Sequence, residues 1–472
     1  MTTSTRSATV STHRSSRSMW AILGLVLLAD AVDVIDATIT NIAAPTIARD
    51  LHGGEGLIKW LGTAYMLAMG VLLVVGGRLG DKFGQRRLFL VGLSGFTLAS
   101  AIAGLSPDPT LLIAARVAQG AFGALLIPQG MAIMVKAFTP EMLAKAFGLF
   151  GPVLGATSIF GPVLAGLLIG ADLFGLSWRP IFLINVVLGG IGLVVATRIL
   201  PRDDGDRSIA IDGWGSGLLA ATMFGLLYGL IEGASNGWGA TAVTSIVAGV
   251  LLLTAFGYRQ RTAADPLIKP SLLRNRGFSA GMLVGLAIFA ATTGLLYVLS
   301  LFIQEGLHAG PQQTSMALLP LTVGIIATAF AAMAGLMAKL GRTMIFLGLV
   351  FVLAGCAWIL AVVQHSGTNV SLWTLAPAFF VTGVGIGGIG MIYTIALGDT
   401  APDEAGSASG SLSSIQQLAS GIGSAAVATI FFHGAASGLD HALKVSLVVV
   451  LIVTAVSIPA VGLLPRRAPQ ES

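Results

Sequence analysis

Long apolar stretches of about twenty residues follow one another along almost the whole chain. They lie near 20–44, 58–78, 88–105, 109–133, 145–170, 180–199, 213–233, 238–258, 279–303, 313–338, 342–363, 373–398, 406–432 and 443–464. At about 1.5 Å of rise per residue, each run crosses, or nearly crosses, a hydrocarbon core of about 30 Å. Such a chain reads as an all-α integral membrane protein of fourteen spans. Composition agrees: 10% of residues are charged, mean hydropathy is +0.89, and soluble domains carry about 25% charge. The 62 glycines suit helices that associate in lipid through close contact of small residues.

The count is even, so both termini share a side, and the bases identify that side. Twenty-one of the 26 lysines and arginines fall on one side of the span list, including Arg78, Lys82, Arg86, Arg87, Arg202, Arg207 and Arg342. Four (Arg49, Lys59, Arg179 and Lys444) fall on the other, and Arg116 lies within a span. Positively charged loops stay in the cytoplasm, so both termini are expected there, in a multi-pass protein of the cell membrane. The net charge of +5 is therefore topological, and no nucleic-acid partner is expected. Residues 1–18, rich in Ser and Thr, read as a disordered cytoplasmic terminus. The following run carries aspartates and no small-residue cleavage site, so it is not a signal peptide. Cys356, the single cysteine, lies in an apolar run and reads as a small core residue.

Between the second and third runs stands Gly77-Arg78-Leu79-Gly80-Asp81-Lys82-Phe83-Gly84-Gln85-Arg86-Arg87. An ordinary basic loop would need no such spacing. Gly-x-Leu-x-Asp-x-x-Gly-x-Arg-Arg after a membrane span resembles the signature loop of the major facilitator superfamily. A weaker echo, Ala334 to Gly341, has Ala338 where Asp81 stands, and offsets of 256 to 262 residues relate other pairs of positions. Eight spans therefore separate the repeats. This predicts the major facilitator fold: a six-helix half at 19–200, a linker with two extra central spans at 201–276, a second half at 277–465, and a tail at 466–472.

The first run holds Asp30, Asp33 and Asp36. On a helix they cover an arc of about 120° and climb about 9 Å. Each carboxylate at membrane depth costs about 2.5–3.5 kcal/mol. A wet cavity and proton exchange give them a use, while hydrogen bonding to neighbouring helices stays open as an alternative. Arg116, the one base inside a span, needs an anionic or carbonyl partner there, and Asp36 and Asp33 are the anions at hand. A static ion pair is the other reading of that partnership.

Ile35-Asp36-Ala37-Thr38-Ile39-Thr40-Asn41-Ile42-Ala43-Ala44-Pro45 resembles the first-span motif of the fourteen-span drug:proton antiporter family. Leu112 to Gly120 resembles that family's fourth-span motif, in which the arginine is implicated in proton transfer. Gly161-Pro162-Val163-Leu164-Ala165-Gly166 resembles the motif typical of exporters, with Ala165 and Thr157 replacing two family glycines. Trp178 to Val186 resembles the turn into span six. The resemblance implies proton coupling by Asp36 and Arg116, and the shared helical arc, not the motif, adds Asp33 and Asp30 to them. It implies conformational roles for Gly77, Gly80, Asp81, Gly84, Arg86, Arg87, Gly161, Pro162 and Gly166. Asn41, Gln119, Gln416 and Gln417 are weaker candidates for lining a substrate cavity.

No metal-ligand spacing joins the six histidines, and no phosphate-binding Gly-Lys-Ser/Thr motif occurs. Neither an enzyme nor a cofactor is expected, and the proton gradient is the expected energy source. The expected protein is a monomeric antiporter in the lipid bilayer, exporting small hydrophobic or amphipathic compounds, drugs and antibiotics, in exchange for protons. A proton-coupled importer of a polar solute and a non-transporting membrane sensor are the alternatives, and sodium remains open as the coupling ion.

Overall fold

The computed structural model describes residues 16–209, 212–309, 311–390, 392 and 404–464. Among these residues there are helices and short links, with no strand. Residues 1–15 of the N-terminal segment, the tail at 466–472 and the last part of the predicted 373–398 span lie outside the described residues.

The first eight long helices are α1 (Ser16–Asp50), α2 (Gly54–Phe83), α3 (Gln85–Gly104), α4 (Pro109–Ala137), α5 (Pro140–Gly170), α6 (Pro180–Ile199), α7 (Gly213–Asn236) and α8 (Ala240–Thr262). They are followed by α9 (Arg276–Leu301), α10 (Leu319–Ala331), α11 (Arg342–Ser366), α12 (Leu372–Ile389), α13 (Ala405–Ala435) and α14 (Leu439–Ala460). Among the described residues, eleven helices are long and apolar enough to cross a membrane. That is fewer than the fourteen spans read from sequence: α1, α5 and the shorter apolar α10 are not among them.

Side-chain caps fix the starts of some of these helices. Asp108 accepts the Leu111 N–H at 3.0 Å ahead of Pro109, and Thr139 accepts the Met142 N–H at 3.3 Å ahead of Pro140. The tenth predicted run departs most from expectation. It breaks into Pro311–Ala317, α10, a π turn at Ala332–Leu336 and a last short piece, Met337–Leu340. Gly335, at φ 99°, has left helical geometry altogether and interrupts the backbone ladder.

One pattern of packing occurs twice. In the first half α1 packs on α5 and α6, α4 on α2 and α3, and α3 on α6. Eight helices later α9 packs on α13 and α14, α12 on α10 and α11, and α11 on α14. The halves meet along α2 with α13 and along α5 with α10. The α7–α8 hairpin stands outside this repeat, and α7 packs against both α2 and α13. Its Leu227 fills a notch between two glycines. A Cβ on Gly70 would come within 2.7 Å of that leucine, and one on Gly421 within 3.0 Å.

Candidate functional site

Four helices converge on Asp36. The carboxyl is 1% exposed and Arg116, from α4, is 0% exposed. The Arg116 Nη1 donates to Asp36 Oδ2. Asp36 Oδ1 accepts from Gln119 Nε2 at 3.1 Å and from Asn185 Nδ2 at 2.6 Å. Gln119 is held in turn: its Nε2 also donates to Ser100 Oγ at 2.8 Å, and its Oε1 accepts from Arg116 Nη1 at 3.0 Å. Arg116 Nε donates to the Leu61 carbonyl at 2.9 Å. The guanidinium lies 4.5 Å from the Tyr65 ring and 5.9 Å from the Phe182 ring, both cation–π distances. A charge taken out of water is tolerated when it is paired and its remaining valences are filled, and this cluster does both for Asp36.

Asp33 lies one turn earlier on α1, half-buried, and accepts the Tyr65 hydroxyl. Tyr65 therefore touches both Asp33 and the Arg116 of the buried pair. A Cβ on Gly123 would stand 3.4 Å from that hydroxyl and 3.5 Å from the Asp33 carboxylate, so α4 presents its smallest surface there. Asp30 is also buried, at 7% exposure, but no donor reaches it among the described residues. The structure thus brings Asp36, Arg116 and Gln119 into one cluster, sets Asp33 beside it through Tyr65, and leaves Asp30 apart.

The weaker cavity candidates do not form one group. Gln417, on α13, donates to Met69 Sδ at 3.8 Å across the two halves. Gln416 is half-buried. The side chains of Asn41 and Pro162 lie outside the described ones. Gly161 is a contact point of α1 and α5, since a Cβ there would fall 2.0 Å from Thr38 Oγ1. Gly166 is exposed with open space around it, so it makes no close helix approach.

The signature loop forms a second site at the basic end of the bundle. Gly84, at φ 93°, ends α2 and starts α3, and its N–H donates to the Gly80 carbonyl at 2.9 Å. Gly80 packs so closely on α4 that an added Cβ would meet Gln129 Oε1 at 1.8 Å. Asp81 is 3% exposed, and its carboxylate accepts the Ser407 N–H at 3.0 Å and Gln85 Nε2 at 3.2 Å. Ser407 is in the first turn of α13, so an anion caps the positive end of a helix from the other half. Gly77 faces Gly410 on α13, where a Cβ on Gly410 would lie 3.4 Å from the Gly77 Cα. Arg86 donates to the Thr197 carbonyl at 2.8 Å, fastening α3 to the end of α6. Arg87 is exposed at the start of α3.

Three neutral residues of the cluster are absent from the sequence reading: Tyr65, Ser100 and Asn185. Asn185 lies in the Trp178–Val186 stretch that carries the family resemblance, which was the one available signal. Asp203 is a fourth addition, at the loop: its carboxylate accepts the N–H groups of Gln85 at 2.6 Å and Arg86 at 3.0 Å, capping α3.

The family profile described as the Major Facilitator Superfamily matches residues 26–424. The chain is 38% identical over 418 residues to the probable actinorhodin transporter of Streptomyces coelicolor, spanning 88% of this chain and 72% of that protein. It is 36% identical over 432 residues to the puromycin resistance protein of Streptomyces alboniger, spanning 90% and 84%. Among solved structures, the human organic anion transporter MFSD10 superposes with a TM-score of 0.67 at 15% identity, over 92% of this chain and 99% of that one.

Proposed function

The chain belongs to the major facilitator superfamily, and on that premise we propose that it is a proton-coupled antiporter exporting small hydrophobic or amphipathic compounds, antibiotics among them. Relatives named for antibiotic resistance and transport support the direction and the class of cargo. The observation that carries the coupling is the sealed Asp36–Arg116 pair with Asp33 one turn away. Paired with Arg116, Asp36 stays ionised; separated from it at membrane depth, it takes a proton. A proton arriving from outside thus weakens the link between α1 and α4 and favours release of cargo. Its loss to the inside restores the pair and favours loading.

The same proposal includes fourteen spans: to the eleven are added α1 and α5, which at 35 and 31 residues are longer than a bilayer requires, and the broken run from Pro311 through α10 to Leu340. Both termini lie in the cytoplasm, the two halves rock about a central cavity, and the proton gradient alone supplies the energy.

Transport by the purified protein in proteoliposomes, under an imposed pH gradient, tests this. Flux of a cationic dye is expected to follow the gradient in the wild type and to become gradient-independent, or stop, in Asp36→Asn. Full gradient-driven flux in Asp36→Asn would refute the assignment, and a sodium gradient substituting for protons would replace the ion.

A further inference from the structure

The donors around Asp36 are not equivalent. Arg116 has no acceptor atom to offer. The Gln119 amide is fixed at both ends: its Oε1 receives Arg116 Nη1, and its Nε2 serves Asp36 and Ser100. Turning it would break three hydrogen bonds at once. Asn185 is fully buried, yet its Nδ2 makes one bond, to Asp36, and its Oδ1 has no partner. A buried carbonyl oxygen without a donor is costly. The opposite orientation would set that oxygen against the Asp36 carboxylate, so the ionised acid dictates the amide's direction.

A protonated Asp36 reverses the requirement. Its new O–H needs an acceptor, and among the described residues Asn185 is the one neighbour shown around Asp36 that can supply it without breaking other bonds. We propose that Asn185 turns its amide when Asp36 takes up a proton, donating to the carboxylate in one state and accepting from the carboxylic acid in the other. Each state then keeps one Asp36–Asn185 hydrogen bond, so α6 stays tied to α1 throughout the cycle. What the proton loosens is the tie from α4, because a neutral acid no longer holds the guanidinium. Asn185 is thus a positioning residue that directs the proton's effect to one helix.

The charged and titratable groups facing this point are few. On α1 the nearest is Asp33, on α4 Arg116 and on α2 the Tyr65 phenol. From α3 comes neutral Ser100, and Lys145 of α5 is exposed near the start of that helix, remote from this depth.

The inference rests on the reading of Asp36 as the proton site, and infrared difference spectroscopy of the reconstituted protein, acid minus neutral, separates the two. The expected spectrum contains a carboxylic C=O band that is lost in Asp36→Asn, together with a side-chain amide band. That amide band should shift in wild-type protein grown with 15N-asparagine, stay put with 15N-glutamine, and vanish in Asn185→Leu. The isotope arm needs no substitution, so it holds even if Asn185→Leu does not fold. An Asp36 carboxyl band without an asparagine band overturns the amide switch and leaves the proton site standing. Absence of the Asp36 carboxyl band overturns both.

Discussion

Arg116 reaches three helices besides its own: the Leu61 carbonyl and Tyr65 ring on α2, Asp36 on α1, and the Phe182 ring on α6. Lysine has one charged end and no planar fork, so it cannot make these contacts together. Arg116→Lys is therefore expected to reduce proton-driven flux at least about tenfold, the effect of roughly 1.4 kcal/mol. Arg116→Gln strands the Asp36 charge and should lower stability by about 3–5 kcal/mol. Adding Asp36→Asn should recover much of that loss, which thermal unfolding of the two singles and the double would reveal as strong coupling. The charged members of this site were legible in the sequence because a charge inside an apolar run is an anomaly. Tyr65, Ser100 and Asn185 break no such rule. They join the Asp36 cluster across as many as 149 positions of chain; the Trp178–Val186 stretch points to Asn185, and the packing of α2 and α3 is what brings in Tyr65 and Ser100.

At the scale of elements, the extended segment after α6 works as a clamp on the signature loop. Asp203 caps α3 while the Asp206 N–H donates to the Asp81 carbonyl at 2.9 Å. Loss of one N-cap costs about 1 kcal/mol, so Asp203→Ala should lower thermal stability modestly, with a faster-exchanging Gln85–Leu88 backbone by hydrogen exchange. The α7–α8 hairpin has its own lock, in which Arg259 donates to both carboxylate oxygens of Asp212 at 3.0 to 3.2 Å. That hydrogen bond holds the Asp212 carboxyl below the usual carboxylate range. A group lowered on folding stabilises at pH above its unfolded value and loses that contribution as pH falls through the folded one. Thermal unfolding in detergent should therefore show an acid-dependent loss that Asp212→Asn removes. The helices themselves were legible as apolar runs; the break at Gly335 was not, since the run from 313 to 338 is continuous in composition and the left-handed glycine is a backbone event.

For the whole molecule, the basic end is closed by contacts between the halves. Asp81 caps α13 and Ser409 Oγ donates to the Pro128 carbonyl at 3.1 Å, while Glu404 of the second half accepts from Ser271 of the linker at 2.5 Å. A hydrogen bond to a charged group contributes about 1.5–3 kcal/mol, so Asp81→Asn should move the balance between closed and open forms of this end by roughly ten- to a hundredfold. Distances between spin labels at the basic ends of α2 and α13 would measure it. The two-fold recurrence of helix pairing was legible as the offset near 260 residues, whereas the position of the extra hairpin was not. Its seat depends on Leu227 finding Gly70 and Gly421, three residues with no common motif. That wedge has a consequence for traffic. One flank of the barrel has a shutter whose helix is keyed to both leaves, so widening it sideways means dragging the hairpin along or unseating a leucine. A greasy molecule already dissolved in the membrane would meet less resistance on the opposite flank, between α5 and α10, and a bulky photoreactive lipid-soluble probe should label those two helices ahead of α2 and α13.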